Sequence, residues 1–407
     1  MATGRMAESV RHCLEATRVS FFPERGAGFP SELWYDETVA KRTLLRPLRK
    51  LWPGLFPYPN ASDFAAKRLR QALRHWKPDV VSVHNLHAAA PWGWDIHLIA
   101  VCLEFAPVVW TLHDMWSFTG RCAYSYDCEK FITGCDVSCP TPDEAPALAP
   151  ERIQSAWEQR RSLYARHVED LVIVTPSRWL ASQARRGMLA RHRIEVIPYG
   201  LDTSLFAPGL REDARRQLRI KPAGPVLLVA AADLTERRKG AAILPALWKQ
   251  IEPRSLTILT MGRGAITIDD PLIEVHALGY LNDDLAKTLA YRAADLLLHP
   301  APVDNFPNVV LEAMACGTPT VALPVGGVPE MVRAGLTGWL ANQATPAALG
   351  RAVEGALRDL ANGRTLRESC RKLAETEYSL ELQGRRYFEL FQQLRKARGS
   401  GRINWHE

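Results

Sequence analysis

No run of 18 or more apolar residues occurs in the 407-residue chain, which excludes an ordinary membrane-crossing helix. The opening stretch MATGRMAESVRHCLEA has no apolar core of the kind a secretory leader needs, so a cytoplasmic place is expected. Low-complexity segments and sequence repeats are absent too. Eight cysteines are few for this length, and in a cytoplasmic chain they imply no disulfide framework. Acid is locally scarce. From Lys41 to Lys77 there are ten Lys or Arg and a single acid, Asp63, with Leu44, Leu48, Trp52, Phe56 and Tyr58 interleaved. Such a stretch suits either an anionic membrane surface, as a peripheral contact, or a solvated helix with an ordinary buried face. No nucleic-acid motif accompanies the charge, so nucleic acid is not expected as a partner. The net charge of +7 suggests an anionic ligand without naming it.

What is present is alternation. PDVVSVH (78–84), PVVWTLH (107–113), LVIVTP (171–176) and RIEVIP (193–198) are apolar, β-branched runs. A second series follows: GPVLLVAAA (224–232), SLTILTMG (255–262), LIEVHALG (272–279), ADLLLHP (294–300) and TPTVAL (318–323). Helical patterns separate them. Continuous apolar strands alternating with helices predict parallel sheets covered on both faces. At this length two α/β domains are expected, doubly wound and Rossmann-like, facing a cleft. We place them at 1–205 and 206–378, with a turn-rich join near YGLDTSLFAPG and a last helical segment in 379–407.

Ligands of open α/β sheets bind beyond the carboxyl ends of strands, so the loops there carry the chemistry. In DNFPNVVLEAMACG, Pro307 suits a first helical turn and Gly317 a C-cap. The N–H groups of Phe306, Asn308 and Val309 would face an anion, beside Asn305. Asp304 and Glu312 flank that helix start and can accept hydrogen bonds from sugar hydroxyls. Phosphate donors between hydroxyl acceptors describe a nucleotide-sugar site; the plainer reading makes Asp304 a cap and Glu312 a surface residue. Arg237, Arg238 and Lys239 in LTERRKG could neutralise a diphosphate without a metal. Gly326 and Gly327 in VGGVPE permit a close backbone approach to a ligand.

Taken together, RRKG, DNFPNVVLEAMACGTPTVALPVGGVPEMV and GLTGWLA closely resemble the retaining family-4 glycosyltransferases. The segment from PDVVSVHNLH through HDMWSFTGRCAYSYDCEKFITGCDVSCP is similar to a branch acting in bacterial polysaccharide assembly, of the colanic-acid type. The resemblance covers roughly residues 78 to 395 and implies the two-Rossmann (GT-B) fold. It implies a hexosyltransferase-type enzyme that moves a sugar with retention from a UDP- or GDP-sugar to a glycan or lipid-linked acceptor, with no cofactor required for catalysis. It gives Glu312 the nucleotide ribose, Asp304 the donor sugar hydroxyls, and Lys239 the diphosphate. His113, with Asp114 beside it, contacts the donor sugar. Asp233 stands where the family usually has an Arg, so Arg237 or Arg238 substitutes. The final helix, about 380–397, is expected to return to the first domain. We therefore expect His113, Lys239, Arg238 and Asp304 to take part in catalysis.

Two features stand apart from these roles. Cys122, Cys128, Cys135 and Cys139 fall within eighteen residues, as a structural zinc set would, but without CxxC spacing; free thiols or a local disulfide are the alternatives. The first strand of the first domain also looks absent. Either the start is truncated or TRVSFF (17–22) fills the gap. An incomplete first domain leaves open a donor-binding but inactive or regulatory protein.

Overall fold

The computed structural model describes residues 19–21, 61–87, 95–142, 144–252 and 254–399. The chain divides into two compact units. One holds residues up to 175, 181–196 and 385 onward; the other holds 176–180 and 197–384.

In the first unit, the apolar runs become a parallel five-stranded sheet. Its strands are β1 (Val19–Phe21), β2 (Val80–Val83), β3 (Val108–Thr111), β4 (Leu171–Thr175) and β5 (Ile194–Val196), side by side in that order. Every residue of β2, β3 and β4 is buried, which is why those runs show no polar alternation. Val19–Phe21, from the stretch expected to fill the gap, is the edge strand beside β2. Of the basic stretch, 41–60 lies outside the described residues. The rest forms the helix Ala61–Trp76. That helix buries Ala66, Leu69 and Leu73, at helical spacing, and leaves Lys67 and Arg74 exposed.

The second unit carries a six-stranded parallel sheet. Its strands are β6 (Val226–Asp233), β7 (Leu256–Arg263), β8 (Ile273–Gly279), β9 (Leu296–His299), β10 (Thr320–Ala322) and β11 (Gly338–Leu340). The order across the sheet is β11-β10-β9-β6-β7-β8. The chain thus runs outward from β6 to β8, then starts again on the other side of β6 with β9. Between β6 and β9 the winding reverses, and the loops leaving both strands open onto that switch point. Apolar clusters cover both faces of this sheet.

The last helix, Leu380–Gly399, belongs to the first unit from residue 385 onward. There Tyr387 Oη lies 2.8 Å from Thr111 Oγ1. Arg398 donates to the Pro78 and Phe105 carbonyls at 3.0 and 3.1 Å. Tyr387, Leu390, Phe391 and Leu394 supply the buried stripe that holds it. Among the described residues no helix is long and apolar enough to cross a membrane.

Candidate functional site

The loops after β6 and β9 meet through glycine. Gly240 has φ +72°, and a Cβ there would lie 2.1 Å from the Pro300 carbonyl oxygen. Gly326 has φ +53°, with a Cβ position 1.8 Å from the Asp304 carbonyl oxygen, and Gly327 is equally tight, at 2.1 Å, against that of Asn305. Any side chain at these positions would push the loops apart. The Gly326–Gly327 pair is therefore needed by the protein's own loop. Its close backbone approach is to 304–305, whereas the sequence suggested an approach to a ligand.

That packing brings Lys239 Nζ to 2.9 Å from Asp304 Oδ2, with Asp304 almost fully buried. Asp304 Oδ1 accepts the Asn305 N–H at 2.9 Å. Buried His299 ends β9, with Nε2 3.7 Å from the same carboxylate. Burial opposes ionisation of Asp304, but Lys239, His299 and Arg238 together outweigh it and hold the carboxyl below its usual range. For His299 burial dominates and pushes the imidazole down to about 4, so it is neutral at physiological pH.

The helix Asn308–Ala315 begins after Pro307 and ends at a Gly317 with φ +77°, whose N–H bonds the Met314 carbonyl. This is the start and stop read from DNFPNVVLEAMACG. Its first backbone bonds run from Val310 and Leu311 to the Pro307 carbonyl, and among the described residues the N–H groups of Asn308 and Val309 meet no backbone carbonyl. Glu312 sits one turn in, buried, and its Oε2 accepts from Tyr291 Oη at 2.8 Å. It is not the surface residue of the plainer reading. The Phe306 ring packs edge-on to Tyr199 and Tyr378 and belongs to the core. Asn305 Oδ1 accepts from Ser177 Oγ at 2.5 Å, and Glu330 accepts the Arg178 and Trp179 N–H groups at 2.9 Å each.

The basic loop is divided in role. Arg238 forks onto Glu236 at 2.8 and 3.1 Å, and Arg237 is exposed. Asp233 fixes the turn by accepting from the Thr235 N–H and hydroxyl at 2.9 and 2.6 Å. Sequence reasoning missed Tyr291, His299 and Ser177. Their signals were slight: a histidine ending a buried strand, and a tyrosine inside an amphipathic helix.

His113 belongs to the first unit, just beyond β3. Its Nε2 lies 3.1 Å from Nδ1 of His84, which follows β2. Burial, and then His113, hold the His84 imidazole well below its ordinary value. Beside them His87 Nε2 stands 3.4 Å from Asp114 Oδ2 and stacks near Trp116. His84 and His87 were legible only as members of the quoted VHNLH segment.

Cys122, Cys128, Cys135 and Cys139 line one small cavity of about 20 Å³, all as free thiols. Burial raises the Cys122 thiol to about 11 and the Cys135 thiol to about 12. Cys135 Sγ accepts the Gly120 N–H at 3.2 Å. The zinc expectation is corrected here: among the described residues no three His, Cys, Asp or Glu side chains are placed to hold a metal ion. The thiols gather, with Cys135 turned to the Gly120 backbone and Cys139 toward the Arg121 guanidinium. No disulfide joins them.

Residues 19–205 match the Glycosyltransferase Family 4 model and residues 224–359 the model for Glycosyl transferases group 1. With two parallel α/β sheets, the chain has the GT-B, Rossmann-like fold, and each half resembles a glycosyltransferase family model. It is 28% identical over 236 residues to a putative colanic acid biosynthesis glycosyl transferase, WcaC, of Escherichia coli, covering 56% of this chain and 54% of that protein. A D-inositol 3-phosphate glycosyltransferase of Actinosynnema mirum is 36% identical over 174 residues, 36% of this chain and 39% of that one. The chain thus spans about half or less of the length of these curated relatives. Among solved structures, a sucrose-phosphate synthase from Thermosynechococcus elongatus superposes with a TM-score of 0.61 at 22% identity, over 82% of this chain and 77% of that one. Anabaena HepE in complex with UDP gives 0.57 at 18% identity, over 87% and 90%.

Proposed function

We propose that the protein transfers a sugar from a nucleotide-sugar donor, with retention, to a glycan or lipid-linked acceptor in bacterial surface polysaccharide assembly. The observation that carries this reading is the buried Lys239–Asp304 pair at the switch point, beside a helix start with unclaimed N–H groups and a Glu312 held by Tyr291. HepE was solved with UDP and with UDP-glucose, which supports a nucleotide-sugar donor, here a UDP-sugar or, as the alternative to test, a GDP-sugar. WcaC supports the polysaccharide setting.

In this mechanism Glu312 accepts from the ribose hydroxyls. As the bond from sugar C1 to the diphosphate breaks, negative charge grows on the leaving phosphate. Lys239, the Asn308 and Val309 N–H groups, and Arg237 or Arg238 stabilise it. Asp304 orients Lys239 and reaches toward the sugar hydroxyls. His113 contacts the donor sugar in this reading. The acceptor hydroxyl attacks from the face the diphosphate leaves, which gives retention without a covalent carboxylate. A peripheral place on an anionic membrane surface through 41–77 belongs to the same reading; exposed Lys67 and Arg74 support it.

The test is a panel of UDP- and GDP-sugars, with and without lipid-linked and glycan acceptors, read by nucleotide release and by the anomeric configuration of the product. One donor should give acceptor-dependent release with configuration retained. Tight nucleotide binding with no acceptor-dependent release across the panel would overturn it in favour of a donor-binding protein without turnover.

A further inference from the structure

The first unit contains a cavity of about 960 Å³ that the donor chemistry does not use. Asp95, His97, Trp116, Arg152, Arg160 and Arg166 are among the residues lining it. Arg160 is the unusual member. It projects from the helix Pro150–Arg166 and is only 4% exposed. A guanidinium buried to that degree is ordinarily matched by a carboxylate, because an unpaired buried charge is costly. Here Nη1 donates to the carbonyls of Ala156 and Gly120 at 2.8 and 3.3 Å. The plane stacks on Trp116, with Cζ 4.3 Å from the ring centroid. Among the described residues Nε has no hydrogen-bond partner. Asp63, Asp95 and Glu158 also line the cavity, yet among the described residues none forms an ion pair with Arg160. Burial holds its pKa below the ordinary value, outweighing the opposing pull of Tyr164 and, at longer range, of Asp95.

Arg121, also buried, borders the same cavity and is bound only to the carbonyls of Pro146 and Glu144, at 3.0 and 2.5 Å, and loosely to a Cys139 sulfur. Exposed Arg152 and Arg166 stand at the rim. Two buried and two exposed guanidinium groups around one cavity suit a polyvalent oxyanion better than a single carboxylate.

We propose that this cavity binds a phosphate-bearing molecule, attracted by the guanidinium charge of Arg160 at its wall and drawn in by Arg152 and Arg166. Under the glycosyl-transfer reading the phosphate is carried by the acceptor; only that identification rests on the reading, and the site itself does not. A free phosphate and a lipid-linked diphosphate share this chemistry.

The test is calorimetric titration of the full chain, with saturating UDP present to occupy the second unit. The probes are inorganic pyrophosphate and farnesyl diphosphate, and UDP affinity is measured separately for each variant. Wild type should bind at least one probe saturably. Arg160→Gln should weaken it by about tenfold or more, the loss of a charge-assisted contact. Arg152→Gln, on the exposed rim and harmless to packing, should weaken it about threefold. UDP affinity should be the same throughout. Much tighter farnesyl diphosphate would assign the site to a lipid carrier, and equal affinities to the phosphate alone. Millimolar probe without binding, or wild-type affinity in both variants, would overturn the site. A failure of UDP to bind would instead count against the donor reading.

Discussion

The two units bury their cations in different ways. In the second, Lys239 meets Asp304 at 2.9 Å, and the charge is balanced within the fold. In the first, Arg160 meets carbonyls and an indole face, and one of its N–H groups meets no partner among the described residues. A balanced pair can be rigid before any ligand arrives, so it suits a group that must act in one geometry. An unbalanced cation is stabilised by what binds it, so it suits recognition. On the proposed reading, the difference fits chemistry in the second unit and binding of an anion in the first.

The sharpest way to break that contrast is to turn the balanced site into an unbalanced one. Lys239→Ala removes the cation and leaves Asp304 buried beside a neutral His299. If Lys239 stabilises the leaving diphosphate, single-turnover nucleotide release should slow about 10²–10³-fold, the scale of losing one preorganised electrostatic contact. Asp304→Asn keeps the lysine and should slow release less. Equal losses in both variants, with no further loss in the double variant, would show the pair acting only as a unit. Unchanged release in Lys239→Ala would remove Lys239 from the site.

Glu312 carries the next largest effect, on binding rather than rate. Glu312→Ala should raise the UDP Kd about 100-fold, because two ribose hydroxyls would lose a charged acceptor in a buried place. Tyr291→Phe, which only frees one carboxylate oxygen, should cost about threefold. A larger loss from Tyr291→Phe than from Glu312→Ala would mean that the pair holds helices together and never touches nucleotide.

How much of this was legible in the sequence follows from what burial does to residue patterns. Strands covered on both faces lose polar alternation, so VVSV, LVIVT and LLLH stand out as apolar runs. Gly338–Leu340 escaped as a strand: three residues starting with glycine look like turn, and only pairing with Thr320–Ala322 makes them an edge. The helix start at Asn308 was readable because proline and glycine bracket it. The Lys239–Asp304 pair was not. Its partners are 65 residues apart, and they meet only because Gly240 lets its loop rest on the Pro300 carbonyl. Arg160 was hidden for a different reason. In QSAWEQRRSLYAR it reads as one more charge on a solvated face, and helical phase alone does not show that it is buried beside Trp116. The cysteines show the opposite error: their clustering was legible, while the orientation of the sulfurs was not.

The smallest effect expected at neutral pH belongs to His299, and it concerns stability. The unfolded chain takes up a proton on this imidazole near pH 6.5. The folded chain, where burial depresses the group to about 4, does not. Unfolding therefore gains a proton as pH falls through that window, and stability is lost between about 6.5 and 4, with none of the loss present above 7. Asp304 behaves differently: its folded value lies below the unfolded one, so its contribution persists down to the acid side of 3.8. His299→Gln removes the first process and keeps the second. Relative to wild type, the variant's apparent Tm should rise by roughly 4 °C between pH 7.5 and pH 4.5. His84, His167 and His192 are depressed by burial as well, but both proteins carry them, so they cancel in the difference. A constant Tm difference across the range would mean that His299 is protonated in the fold, paired with Asp304. Lys239 would then share its carboxylate with a second cation, and the balance that distinguishes the second unit from the first would rest on three groups instead of two.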